Sequence, residues 1–324
     1  MIIITLLGIL MFFSFLLIKS ADLVLVSLKK ISKSTRTGLF ALSAILLALG
    51  TSLPELFVGL TSALEGISSL SLGVVVGSNI ANISLVVGFT SLTAGKVLVR
   101  GEYVKREVAV AFVAGILPVV FILDGYLSQV DGLVLLAIYG VYATGLFKKR
   151  YKQIASEDPQ KDFFYKFVRR ITHINGREAR DYIRLFLGLA ILLFSADMIV
   201  KIAQALATII NIPVLVVGML ILAVGTSLPE IVFSFRSLNE HTPSMFFGNI
   251  LGSIIANSTL VVGLSSVIRP IEVVARQEYF EALFVFVLMF SLFWGFIKSK
   301  NRLDRWEGAV LLLLYFAFVI WSFV

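Results

Sequence analysis

Apolar runs of membrane-crossing length alternate with short polar connections along the whole of this chain. Runs of about 17–25 residues suit the hydrocarbon core of a bilayer. They fall near residues 1–26, 37–63, 68–94, 105–123, 127–147, 181–205, 211–237, 243–268, 277–297 and 304–324. The pattern predicts an all-α polytopic membrane protein of ten transmembrane helices, five on either side of a charged segment at 148–180. The first run is read as a helix and not as a signal peptide, because it lacks a basic stretch before its apolar part and a small-residue cleavage site.

The two halves repeat each other at a fixed offset of 175 residues. Residues 48–55 read Ala-Leu-Gly-Thr-Ser-Leu-Pro-Glu and residues 223–230 read Ala-Val-Gly-Thr-Ser-Leu-Pro-Glu, identical at seven of eight positions. At the same offset Ser20-Ala21-Asp22 falls on Ser195-Ala196-Asp197, and nine of the twelve residues from Gly77 to Gly88 match Gly252 to Gly263. Five spans per repeat is an odd number, so the second repeat must enter the membrane upside down. The expected organisation is a first five-helix repeat at 1–147, a linker at 148–180 and a second, inverted repeat at 181–324. The linker is too short for a folded regulatory domain.

Charge sets the orientation. With the N-terminus outside, 24 of the 28 basic residues lie on inner connections, eleven of them between Lys148 and Arg184. The positive-inside rule therefore places both termini outside. This asymmetry accounts for the net charge of +8 without a nucleic-acid partner.

The repeated octet carries the candidate chemistry. Pro54 and Pro229 each remove a backbone donor within an apolar run, which predicts breaks in helices two and seven around 48–53 and 223–228. Carbonyls freed there, those of Ala48, Thr51, Ala223 and Thr226, need partners inside the membrane. Glu55 and Glu230 add two carboxylates at bilayer depth, where each costs roughly 2.5–3.5 kcal/mol. Hydroxyls of Thr51, Ser52, Thr226 and Ser227 complete an all-oxygen set suited to a hard cation such as Ca²⁺ or Na⁺. In the third and eighth spans, Gly73-x-x-x-Gly77 and Gly248-x-x-x-Gly252 allow close helix approach. They bring up Ser78, Asn82, Ser253 and Asn257, with each Ser and Asn four residues apart on one helix face. Asp22 and Asp197 sit near helix ends and are assigned capping or interhelical hydrogen bonds. Glu102, Glu107 and Glu278 border connections and are placed at interfaces.

These motifs resemble the paired alpha-repeats of the cation/Ca²⁺ exchanger superfamily, most closely its prokaryotic sodium/calcium exchanger-like branch. The resemblance covers both halves. It implies spans two, three, seven and eight around four sites in a diamond, with Glu55 and Glu230 as central Ca²⁺ ligands. Ala48, Thr51, Ala223 and Thr226 would add backbone oxygens. Ser52, Ser78, Ser227 and Ser253 would serve flanking Na⁺ sites, and Asn82 and Asn257 the middle. Helices one and six would slide across the rest. Two departures stand out. Asn257 replaces an Asp carried by some relatives, including those that co-transport K⁺, and Ile254 stands where the first half has Asn79.

Composition narrows the alternatives. The chain is 58% hydrophobic and 15% charged, has no cysteine, and its two histidines, His173 and His241, lie in polar connections. An intramembrane hydrolase would need a base or metal cluster that these residues do not supply, so the protein is not read as an enzyme. A channel would line its pore by oligomeric symmetry, whereas this chain repeats internally. The expected function is Na⁺/Ca²⁺ antiport, with Ca²⁺/H⁺ exchange through the same Glu pair as the alternative. No cofactor is expected; Ca²⁺ and Na⁺ are the cargo, the lipid bilayer is the surrounding partner, and a monomer suffices.

Overall fold

Apolar backbone in lipid must bond to itself, and a helix does so within one segment. The computed structural model follows that rule over the residues it describes, which are 2–34, 51–99, 102–155, 176–239 and 243–322. In chain order the helices are α1 (Ile2–Ser34), α2 (Leu53–Leu64), α3 (Ser68–Ala94), α4 (Glu102–Phe121), α5 (Gln129–Ala155), α6 (Gly176–Ile210), α7 (Val214–Asn239), α8 (Pro243–Ile268), α9 (Arg276–Lys300) and α10 (Arg305–Trp321). Among the described residues six of them, α1, α3, α6, α7, α8 and α9, are long and apolar enough to cross a membrane. Residues 156–175 of the linker, both histidines, and residues 35–50, including Ala48, lie outside the described residues.

Helices α1, α5 and α6 run past the apolar spans, to Ser34, to Ala155 and back to Gly176. The extensions carry Lys and Arg, which are good helix formers in water, so the helix continues where the apolar run stops. Helix α10 opens on a capping box: the Asp304 side chain accepts from the backbone of its third residue, while the Glu307 carboxylate accepts from the Asp304 N–H at 2.9 Å. Two orphan donors are satisfied at once.

Two short antiparallel ladders tie the halves together. Strand β1 (Val97–Leu98) pairs with β4 (Arg302–Leu303), Val97 opposite Leu303. Strand β2 (Tyr126–Leu127) pairs with β3 (Ile271–Glu272), Leu127 opposite Ile271. Each ladder takes one strand from either repeat.

The apolar interior is divided. One cluster lies between α1 and α6, where Leu10, Leu17, Ala21 and Val24 meet Leu192, Ala196, Ile199 and Ala203, backed by Val58, Leu70, Val74 and Val217. A larger one is built from α3, α4, α8, α9 and α10, with Phe246, Phe247, Phe290 and Phe293 among its largest buried side chains. The candidate residues lie where α2, α3, α7 and α8 cross.

Candidate cation site

The repeated prolines set the local backbone. Pro54 stands in the first turn of α2, which begins at Leu53 with Ser52 as its N-terminal cap. Proline is tolerated there because first-turn N–H groups have no helical partner. Pro229 stands likewise in the first turn after the interruption of α7, two residues past Ser227. The break in α7 is narrower than the sequence implies. Ala223–Thr226 stays helical, and the Ala223 carbonyl accepts the Ser227 N–H at 3.0 Å and the Thr226 hydroxyl at 3.3 Å. That carbonyl is therefore not orphaned. The one Pro229 leaves without a helical donor is Gly225, four residues earlier.

Helix α3 reaches this break through its two glycines. A Cβ on Gly73 would lie 2.1 Å from the Leu215 carbonyl oxygen, and one on Gly77 would lie 2.1 Å from that of Met219. Only hydrogen fits at either position, so α3 rides backbone to backbone on the start of α7. That approach sets Ser78 opposite Thr226. Gly248 and Gly252 meet no described atom within 4 Å.

The carboxylates are held by a crossed arrangement. Glu55 and Glu230 are both 0% exposed and within electrostatic reach of each other. The Ser78 hydroxyl donates to Glu55 Oε1 at 3.3 Å, and the Ser253 hydroxyl donates to Glu230 Oε1 at 3.3 Å. Those contacts stay within one repeat. The threonines cross over: Thr226 lies beside Glu55 and 3.3 Å from Ser78, while Thr51 lies beside Glu230 and 3.2 Å from Ser253. Among the described residues the second oxygen of each carboxylate has no partner, nor do the hydroxyls of Ser52 and Ser227. Oxygen lone pairs thus converge from both halves on one buried locus, which is the donor chemistry a hard cation takes.

Asn82 and Asn257 are fully buried, and each opens a π-helical turn or sits in its first residues, Asn82–Val86 in α3 and Ala256–Val261 in α8. Such turns widen the helix and leave backbone groups to be satisfied otherwise. Ser84 and Thr259, an equivalent pair, do so by donating to the carbonyls of Ile80 and Ile255. Neither amide atom of Asn82 has a partner among the described residues. Asn257 donates through Nδ2 to Asn79 Oδ1 at 3.5 Å, and its own Oδ1 has no partner among the described residues.

The departure at Ile254 has a structural counterpart. Asn79 donates to Ser258 at 2.7 Å, and in the other repeat those two positions are Ile254 and Ile83, both fully buried. A polar pair on one side answers an apolar pair on the other.

Several residues fall elsewhere. Asp22 is exposed, and Asp197 accepts from Lys201 at 2.9 Å within its own helix. Glu107 is not at an interface with water: it is buried and accepts from the Tyr142 hydroxyl at 2.9 Å. Among the described residues no three His, Cys, Asp or Glu side chains group together. The residue the repeat alone does not reveal is Asn249, whose Oδ1 accepts from Thr51 at 2.9 Å. Its counterpart is Val74, so a search for matched polar positions passes over it; an amide inside an apolar span was the available signal.

Interrupted helices in a duplicated helical fold place the chain among membrane ion transporters that work by antiport. It belongs to the sodium/calcium exchanger protein family, which it matches over residues 5–148 and 181–324. It is 29% identical to the sodium/calcium exchanger MaX1 of Methanosarcina acetivorans and 30% identical to the putative antiporter CaxA of Alkalimonas amylolytica, in both cases over 94% of each chain. A solved structure of the sodium-calcium exchanger NCX_Mj, soaked with zero Na⁺ and Ca²⁺, superposes with a TM-score of 0.60 at 25% identity, covering 98% of either chain.

Proposed function

We propose that this protein exchanges Ca²⁺ for Na⁺ across a membrane by alternating access, with Glu55 and Glu230 as the central ligands. The observation that carries this reading is the crossed geometry of the two carboxylates, each spending one oxygen on its own repeat's serine beside the other repeat's threonine and keeping the second without a partner among the described residues. Ca²⁺ bound between them would neutralise two negative charges. Backbone oxygens of Ala48, Thr51, Ala223 and Thr226 would complete its shell, Ser52, Ser78, Ser227 and Ser253 would hold Na⁺ on the flanks with the threonine hydroxyls beside them, and Asn82 and Asn257 would close the middle. Both loads need the same carboxylates, so competition enforces exchange. Without a cation, two buried negative charges would have to make the transition uncompensated, which opposes leak.

The topology belongs to the same proposal: residues 1–147 and 181–324 as inverted five-helix repeats, the linker 148–180 inside, and both termini outside. The ladders support it, since each joins two connections that the charge pattern puts on the same side. The separate apolar cluster between α1 and α6 supports a sliding pair that moves against the remaining helices.

Radiocalcium uptake into Na⁺-loaded proteoliposomes tests the reading, beside vesicles holding only a pH gradient. Uptake driven by outward Na⁺ and lost in both Glu55→Gln and Glu230→Gln is the expected result. Uptake driven by the proton gradient alone would replace Na⁺ with H⁺ as the coupling ion. No calcium flux under either gradient would remove calcium as the cargo.

A further inference from the structure

We propose that Asn249 is a positioning residue that makes the Thr51 side of the site the stronger of the two for Na⁺. The inference rests on the antiport reading and concerns the flanks of the same site. Asn249 lies on α8 one turn before Ser253, is buried, and receives the Thr51 hydroxyl hydrogen on Oδ1 at 2.9 Å. A hydroxyl has one hydrogen and two lone pairs. Ser253 gives its hydrogen to Glu230 Oε1, so none from Ser253 falls on the Thr51 oxygen, and Asn249 at 2.9 Å is a nearer acceptor for the Thr51 hydrogen than Ser253 at 3.2 Å. With the Thr51 hydrogen drawn onto Asn249, the lone pairs of Thr51 are left for a cation.

The other repeat lacks this device. Val74 occupies the matching position and offers no acceptor. Ser78 spends its hydrogen on Glu55, and the Thr226 hydroxyl, 3.3 Å from both the Ala223 carbonyl and the Ser78 oxygen and beside Glu55, keeps its hydrogen among the oxygens of the site. A cation on that side must compete with that hydrogen for the oxygens around it. On the Thr51 side the competing hydrogen has been taken out of the shell by a side chain that contributes no charge of its own. Two nearly identical octets thereby present unequal cation sites.

The test compares half-saturating Na⁺ and half-saturating Ca²⁺ in reconstituted protein for Asn249→Val, which copies the other repeat, and for Val74→Asn, which copies this one. Asn249→Val is expected to raise half-saturating Na⁺ about 5-fold, the scale of one neutral hydrogen bond, with Ca²⁺ changed by less than about 2-fold on the same scale. Val74→Asn is expected to lower it, a gain that structural damage does not produce. In a Thr51→Val background Asn249→Val should add nothing further. Equal shifts for both ions, or additive effects with Thr51→Val, would overturn the proposal. Should wild-type protein move no calcium, the antiport reading fails by itself. Calorimetric Na⁺ titration of the purified protein then decides: weaker binding in Asn249→Val sustains the assignment, and unchanged binding ends it.

Discussion

The Thr51 hydroxyl, just ahead of α2, lies 3.2 Å from the Ser253 hydroxyl of α8, and its repeat-related pair, Thr226 and Ser78, is separated by 3.3 Å. The two contacts cross between halves, whereas the serine-to-glutamate contacts do not. Each carboxylate is therefore reached by both repeats, and the site exists only where they meet.

That crossing should appear as energetic coupling. In a double-mutant cycle on Na⁺ affinity, Thr51→Val and Ser253→Ala should be non-additive by about 1 kcal/mol, as expected for groups in direct contact. Thr51→Val and Ser78→Ala, which touch different carboxylates, should add within about 0.5 kcal/mol. Calorimetry on purified protein reads both.

Gly77→Ala should be severe. The added Cβ would meet the Met219 carbonyl oxygen at 2.1 Å and the Ala223 Cβ at 2.6 Å, and overpacking of that kind costs about 1–3 kcal/mol. A lower melting temperature in detergent and loss of transport are expected. Gly140→Ala meets nothing within 4 Å and should melt at or slightly above the wild-type temperature.

The exchange of Asn79–Ser258 for Ile254–Ile83 between repeats makes a paired prediction. Asn79→Ile alone strands the Ser258 hydroxyl and should destabilise by about 1–3 kcal/mol. Adding Ser258→Ile should recover part of that loss, since replacing both partners by apolar groups comes near to neutral. Thermal melting of the two variants decides it.

Orientation can be read with thiol reagents, because the chain has no cysteine of its own. Gln129→Cys, near β2, should be labelled by an impermeant maleimide from outside the cell. Ser299→Cys, near β4, should be labelled only from inside. Labelling of both from one side would overturn the inverted arrangement.

Lys201 marks the other end of the scale. It sits 2.9 Å from Asp197 and 4.0 Å from Glu65, but half-exposed. Exposed ion pairs are screened by salt and contribute little. Lys201→Ala should leave the melting temperature unchanged within error.

Most of what the sequence makes legible comes from symmetry. A fixed offset picks out Glu55, Ser78 and Thr51 together with their partners, because each pair keeps the same chemistry. The same filter hides Asn249 and Ser258, which face Val74 and Ile83 in the alignment of the halves. The π-helical turns at Asn82 and Ala256 are also invisible, since one extra residue in a turn leaves no mark in hydropathy. The Pro229 break was expected to free the Ala223 carbonyl; the structure keeps that turn closed because Thr226 and the Ser227 N–H both remain bonded to it. Proline predicts where a helix is weak, and neighbouring donors decide how far it opens.

The two β-ladders carry a consequence for biosynthesis. β1 and β2 are synthesised with the first repeat, and their pairing strands, β3 and β4, emerge only near the end of the chain. Thr226, which flanks Glu55, also comes late. A ribosome that has inserted the first five helices therefore leaves two unpaired strand edges and a carboxylate in lipid without its cross-repeat neighbour. The early half must wait in the membrane for the late half, and a chain stopped at the linker would be an assembly intermediate for quality control to remove.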